Sequence, residues 1–282
     1  MIFWIASYPK SGNTWLRALL SSYYYSDDGF FNQNLLEKIG QFPEKKHFNY
    51  FDYNPKIVTD TSRFWVEAQN RINKDKKIKF FKTHNVLGSI NNHKFTNKEN
   101  TIGGICIVRD PRNILTSIQN HYELNKDDAL KFMINEKKFI HDHSLQNDYS
   151  DFQFISSWEK NYQSWMQQKI FPVKTVKYED LNKKTFETFK EIVEFIEKII
   201  RSKKNFDTTK AKNSIHSTTF SKMKNIEKKS GFVESVLSKN NQKKIPFFNL
   251  GPKNDWKNIF NNDYKKKLES TFESGLKDLN YI

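Results

Sequence analysis

The chain has 282 residues, 37% of them hydrophobic and 15% aromatic, with 25 Phe. That is enough apolar material for one large core and excludes a chain disordered throughout. Lys and Arg number 47 against 32 Asp and Glu, a formal net charge of +15, which attracts anions without choosing between a bound ligand and a Lys-rich solvated surface. The single cysteine, Cys106, excludes a disulfide framework within one chain and points to a reducing, cytoplasmic setting. No stretch reaches the roughly 18 to 20 consecutive apolar residues that span a bilayer, and Pro9 and Lys10 interrupt any secretory leader.

In chain order, the first apolar run predicts a strand over Ile2–Ser7. Tyr8-Pro9-Lys10-Ser11-Gly12-Asn13-Thr14-Trp15 follows it and opens a helix on which Trp15, Leu16, Leu19 and Leu20 recur at helical spacing. A strand that turns tightly through Gly and small hydroxyl residues into a helix aims backbone N–H groups and the positive end of the helix dipole at one point, where an anion belongs. The usual ATP-binding order, G-x-x-x-x-G-K-[ST], is inverted here: Lys10 precedes Gly12. Trp15 stands within one helical turn, placed to lie against a base.

Further strands are expected over 78–82, 102–108 and 173–178. Between them come helices over 114–122, around Ile155, Trp158, Tyr162 and Trp165, and along Phe186, Phe189, Val193, Ile196 and Ile200. These aromatic stripes read as core. The alternation predicts an α/β fold in a single domain over 1–282, with a central parallel sheet flanked by helices. In such sheets ligands collect at the carboxyl ends of the strands, so the four turns should converge on one crevice. The stretches 26–54 and 222–246 carry no clear periodicity and read as long surface loops of the lid or binding kind.

Several residues at those turns carry chemistry. His84, after Phe81-Lys82-Thr83, stands at a strand mouth where an imidazole can take a proton from a hydroxyl or amine. Arg109 ends the third strand with a fork suited to phosphate, and Ser117 offers a hydroxyl from the next helix. His141 and His143 have a metal-like spacing, yet Asp142 is the only carboxylate nearby and no third His or Cys accompanies them, so no metal is expected.

The YPKSGNTW segment resembles the 5′-phosphosulfate-binding loop of cytosolic-type sulfotransferases, enzymes that use 3′-phosphoadenosine 5′-phosphosulfate (PAPS) and release adenosine 3′,5′-bisphosphate (PAP). The resemblance implies a P-loop-like nucleotide-binding fold. KTH matches the family's catalytic segment, making His84 the general base and Lys82 a contact of the group in transit. Arg109 and Ser117 match the 3′-phosphate-binding pair, and YEDL at Tyr178 matches the segment whose Tyr packs at the adenine. Thr218, Thr219, Phe220 and Met223 match the residues that complete the base pocket, with Phe220 facing Trp15. Gly251 opens a segment ending in DWKN; the family usually places Arg and Lys before this Gly, where Asn249 and Leu250 stand, and Lys253 is a candidate replacement. The implied catalytic residues are His84, Lys10, Lys82 and Ser117. The implied donor contacts are Lys10, Ser11, Gly12, Asn13, Thr14, Trp15, Arg109, Ser117, Tyr178, Thr218, Thr219, Phe220, Met223 and Gly251.

The implied reaction moves a sulfuryl group to a hydroxyl or amine of a small-molecule, glycan or lipid acceptor, in line and without a metal. No nucleic acid partner is expected, and the protein should be a monomer or homodimer; Asn261 and Asn262 replace residues of the family's dimerisation pattern. Two other classes stay open on the residues alone. One is a kinase-like phosphotransferase, which should bring a magnesium-binding carboxylate. The other is a nonenzymatic polyanion binder, permitted by the charge.

Overall fold

The computed structural model describes residues 1–142, 147–238, 241 and 243–282. β1 (Ile2–Ser7) is buried at every position, as in a strand covered on both faces. Its side chains alternate, sending Ile2, Trp4 and Ala6 into one core and Phe3 and Ile5 into the other. α1 (Asn13–Tyr25) leaves the turn after β1 and lays Leu16, Leu19, Leu20 and Tyr23 against the second core. β2 (Gly40–Gln41) is a short edge strand, and α2 (Trp65–Ile72) leads to β3 (Lys79–Thr83).

A small hairpin of β4 (Ser89–Ile90) and β5 (His93–Lys94) precedes β6 (Thr101–Val108), which divides like β1: Cys106 and Val108 face one core, Ile105 and Ile107 the other. α3 (Pro111–Tyr122) and α4 (Lys126–Ile134) follow, then the antiparallel pair β7 (Phe139–Ile140) and β8 (Gln153–Phe154). α5 (Trp158–Met166) leads to β9 (Val173–Lys177), α6 (Tyr178–Lys183) and α7 (Thr185–Ile200). The chain closes with α8 (Thr208–Ser217), α9 (Phe220–Ser230), α10 (Trp256–Ile259), α11 (Asn262–Thr271) and α12 (Glu273–Asp278).

The main sheet has the order β2-β3-β1-β6-β9, and each neighbouring pair is parallel. α1, α7 and α8 cover the face that carries Phe3 and Ile5; α2 to α5 and α11 cover the other. The register sets Gln41 beside Lys82, Ala6 beside Thr83, Ser7 beside Ile107 and Val108 beside Lys177. The carboxyl ends of the strands therefore stand in a row, and every turn that leaves them opens on the same side. The expected α/β architecture with a central parallel sheet is the one observed.

Several local expectations differ, among them the strand read over 78–82, which is observed as Lys79–Thr83. The helix expected over 114–122 starts at Pro111, because Asp110 caps it by accepting from Arg112 N and proline suits a first helical position. Within 26–54 the chain adds β2, too short to show a period. Within 222–246 it begins as α9, a Lys-rich helix whose one buried residue is Met223; so narrow an apolar stripe gives periodicity nothing to register. Of the two histidines weighed as a metal pair, His143 lies outside the described residues. Among those described, no group of three or more His, Cys, Asp or Glu side chains could hold a metal ion. No described helix is long and apolar enough to cross a membrane.

Candidate active site

The turn from β1 to α1 is pinned at both sides. Ser11 N donates to Tyr8 O at 3.3 Å, and Asn13 Nδ2 donates to Ile5 O at 3.0 Å and to Ser7 Oγ at 3.2 Å, tying the first residue of α1 back to the strand. Lys10 has φ +66° and Gly12 φ +103°. The left-handed glycine is required twice over, since a Cβ there would meet Tyr178 Cδ2 at 2.5 Å. No side chain caps the start of α1, so its first turn presents N–H groups and the dipole's positive end to the cleft.

The cleft measures about 1560 Å³ and lies along the carboxyl ends of β1, β3, β6 and β9. Of the catalytic and donor-contact residues implied in the sequence, all border it except Ser11 and Thr219. Ser11 points its hydroxyl into the protein, where it is buried without a partner. Thr219 is exposed at the start of α9, with its hydroxyl 3.5 Å from that of Ser221.

An anion already sits on this turn. The Glu234 carboxylate forms ion pairs with Arg17 and with Lys82, the latter at 3.1 Å, and accepts a hydrogen bond from Thr14 Oγ1. Burial alone would raise its pKa, but the charges of Lys82 and Arg17 with the Thr14 and Arg17 hydrogen bonds outweigh that and hold it far below the usual carboxylate range. Arg17 is fixed in turn by Ile39 O at 2.7 Å and Leu36 O at 3.0 Å. Neither Arg17 nor Glu234 was singled out in the sequence. Arg17 had a signal, one helical turn after Thr14 on the same face; Glu234 had none, lying in an aperiodic stretch more than two hundred residues away. Lys10 rests 3.9 Å from the Phe247 ring. Burial is the chief cause lowering its pKa to about 8, with Lys82 and Arg109 adding to the shift and Glu234 opposing it.

His84 follows β3, two residues after Lys82, so both side chains leave the strand on one side. Its Nδ1 lies 2.7 Å from Ser7 O. A carbonyl only accepts, so Nδ1 carries the proton and Nε2 keeps its lone pair. Gln153 Oε1 accepts from His84 N at 2.8 Å, and Asn161 Nδ2 donates to His84 O at 2.9 Å. Trp165 Nε1 donates to the next carbonyl, Asn85 O, also at 2.9 Å. The stripe read as core thus also clamps the segment that carries the imidazole. Burial, then the Lys82 charge, lowers the His84 pKa to about 3, leaving the ring neutral at physiological pH.

The end of β6 brings Arg109 to the turn, where Nη1 donates to Lys10 O at 3.1 Å and the guanidinium stands 4.3 Å from the Tyr178 ring centre. Its Nε is buried without a partner, a donor left over for a ligand. Arg112 turns the other way, paired with Asp110 at 2.8 Å and stacked 4.0 Å from Trp256. Trp256 belongs to DWKN, whose neighbour Asn254 holds this stretch on α3 by donating to Asn113 O at 2.9 Å and lies 3.4 Å from Ser117 Oγ. Gly251 (φ +55°) thereby reaches the cleft beside Ser117. A Cβ there would lie 2.3 Å from the Phe220 ring. Lys253, considered as a replacement cation, is exposed and does not border the cleft.

Trp15 meets Tyr178 edge to face at 5.8 Å. The ring neighbour of Phe220 is Phe248 at 6.1 Å, so Trp15 and Phe220 border the same cleft without stacking on each other. Met223 is buried against Ala18, Phe31, Leu36 and Phe232, and Thr218 Oγ1 donates to Ser214 O at 2.7 Å.

The chain as a whole has relatives. The sequence matches the Sulfotransferase domain over residues 2–280. Similar solved structures include mouse sulfotransferase SULT7A1 complexed with PAP: TM-score 0.57 and 17% identity, covering 99% of this chain and 85% of that one. Retinol dehydratase in complex with androsterone and the inactive cofactor PAP gives TM-score 0.58 and 15% identity, covering 98% and 81%. The same enzyme with retinol and PAP gives 0.57 and 15% over the same shares. At these identities the structures show a common fold, while the domain match spans nearly the whole sequence: the chain belongs to the sulfotransferase domain family.

Proposed function

We propose that the chain moves the sulfuryl group of PAPS onto a hydroxyl or amine acceptor in a single in-line displacement, with His84 as general base and no metal. The acceptor heteroatom forms its bond to sulfur as the bond from sulfur to the bridging 5′-phosphate oxygen breaks. The electron pair of that bond leaves with the phosphate, and the acceptor proton passes to Nε2 of His84. Lys10 and the first turn of α1 stabilise the charge that grows on the leaving phosphate, while Lys82, Thr14 and Arg17 face the sulfuryl oxygens. Arg109, Ser117 and the Gly251 N–H hold the 3′-phosphate, with the unpaired Arg109 Nε as one donor. Tyr178, Trp15, Phe220 and Met223 enclose the base, with Thr218 and Thr219 nearby.

One observation carries this reading: Thr14, Arg17 and Lys82 already grip an anion, the Glu234 carboxylate, and Lys82 stands two residues along the chain from His84. A donor phosphosulfate offers the same chemistry, more charge and a better reason for the cations to converge. The test is His84→Ala, assayed for sulfate transfer and for PAP binding by calorimetry. Loss of turnover with PAP affinity retained supports the assignment; transfer at the wild-type rate overturns it.

The main sheet draws its strands from Ile2 to Lys177 and one core gathers side chains from Ile2 to Leu279, which supports one domain over 1–282. Burial raises the Cys106 thiol to about 12, an inert side chain suited to a reducing, cytoplasmic compartment.

A further inference from the structure

We infer that the acceptor is a neutral, polyhydroxylated molecule of the carbohydrate class, since the stretch of cleft wall tied to His84 by hydrogen bonds and strand pairing carries amides and carboxylates, including one buried carboxylate oxygen that has no partner. The inference rests on the sulfuryl-transfer reading above. The wall is traced by its hydrogen bonds. His84 N donates to Gln153 Oε1 at 2.8 Å. β8, which contains Gln153, pairs with β7 so that Gln153 stands opposite Ile140. Beyond β7, Asp142 N donates to Asp151 Oδ2 at 2.8 Å. The other oxygen of Asp151, a residue only 7% exposed, makes no hydrogen bond. On the strand paired with β3, Gln41 lies in register with Lys82. Gln41, Ile140, Asp142, Asp151 and Gln153 all border the cleft, and of these five only Ile140 is apolar.

An apolar ring system pressed against such a wall would strip water from these groups and return no hydrogen bonds. A sugar face returns them, because hydroxyls both donate to carboxylates and accept from amides. The mixed lining also argues against a strongly charged acceptor. Gln153 binds His84 N and borders the cleft, so a hydroxyl held there lies beside the base. Its oxygen attacks sulfur, its proton goes to His84 Nε2, and the sulfur–oxygen bond to phosphate breaks with its electron pair.

The test loads the full chain with PAP and measures binding of a pool of neutral oligosaccharides and of 2-naphthol by saturation-transfer NMR. It then measures sulfate transfer from labelled PAPS to each. Binding and transfer for the oligosaccharide pool at least about tenfold better than for naphthol are expected, the scale of one unpaired buried polar group. Asp151→Asn and Gln153→Glu should each lower saccharide transfer by about as much while PAP affinity holds; Gln153→Glu keeps the oxygen that His84 N requires. Preference for naphthol, or neither probe binding to the PAP-loaded protein, overturns the inference. Failure of PAP itself to bind is read separately and removes the sulfuryl-transfer reading first.

Discussion

A carbonyl 2.7 Å from His84 Nδ1 decides which nitrogen is basic, and burial beside Lys82 decides that the ring is neutral. With its pKa near 3, His84 should put no acid limb on kcat/KM between pH 5 and 7. The alkaline side belongs to Lys10, whose value of about 8 means that it is charged below that pH and loses its charge above it. kcat/KM for the donor should therefore fall as pH rises through 8, and Lys10→Arg, which stays charged, should move that limb upward; a profile flat to pH 10 would contradict the role given to Lys10. Glu234 competes for the cations that the donor needs. Glu234→Gln should tighten PAP binding by up to about tenfold, the scale of one charged hydrogen bond, as read by calorimetry; weaker binding would mean that Glu234 assists the site. At this scale the sequence exposed the Lys10 turn, Lys82, His84, Arg109 and Ser117 as cleft residues, because residue types at strand ends carry their chemistry with them. Glu234 stayed hidden, since nothing local relates it to Thr14, and the packing of Phe220 over Gly251 and beside Phe248 had no local signal either.

The β1–α1 turn depends on a conformation that only Gly12 takes readily, under a tyrosine that leaves no room for a Cβ. Gly12→Ala should cost about 2 kcal/mol or more from the left-handed φ alone. PAP binding should collapse further than the melting temperature does, because Tyr178 must shift away from Trp15 and Arg109. Unchanged PAP affinity in that variant would mean that the turn is no anion cradle. The long buried elements were legible in the sequence because two covered faces force runs such as Ile2 to Ala6. β9 ends one residue earlier than read because Tyr178 already opens α6. β2 and α9 were not legible: the first is two residues long, and the second earns its place through Met223 and its neighbours Phe31, Leu36 and Phe232 rather than through its own periodicity.

Across the whole molecule, one sheet between two cores holds four turns in fixed register, and a ligand that touches all of them should stabilise the fold as a unit. Saturation with PAP at 100 times its Kd should add about 2.7 kcal/mol, seen as a single cooperative upward shift in thermal unfolding. The formal charge of +15 will raise the affinity of any polyanion and make it salt-sensitive, so charge alone is a poor witness to function. Discrimination for the 3′-phosphate separates the possibilities. The decisive measurement is calorimetric titration of PAP, 5′-AMP and Mg-ATP into the wild type and Arg109→Ala at moderate salt. The expected result is PAP binding at least about tenfold tighter than 5′-AMP, a margin of one charged phosphate contact, with that margin lost in Arg109→Ala. Equal affinity for PAP and 5′-AMP, or a preference for Mg-ATP, would contradict the donor site described above.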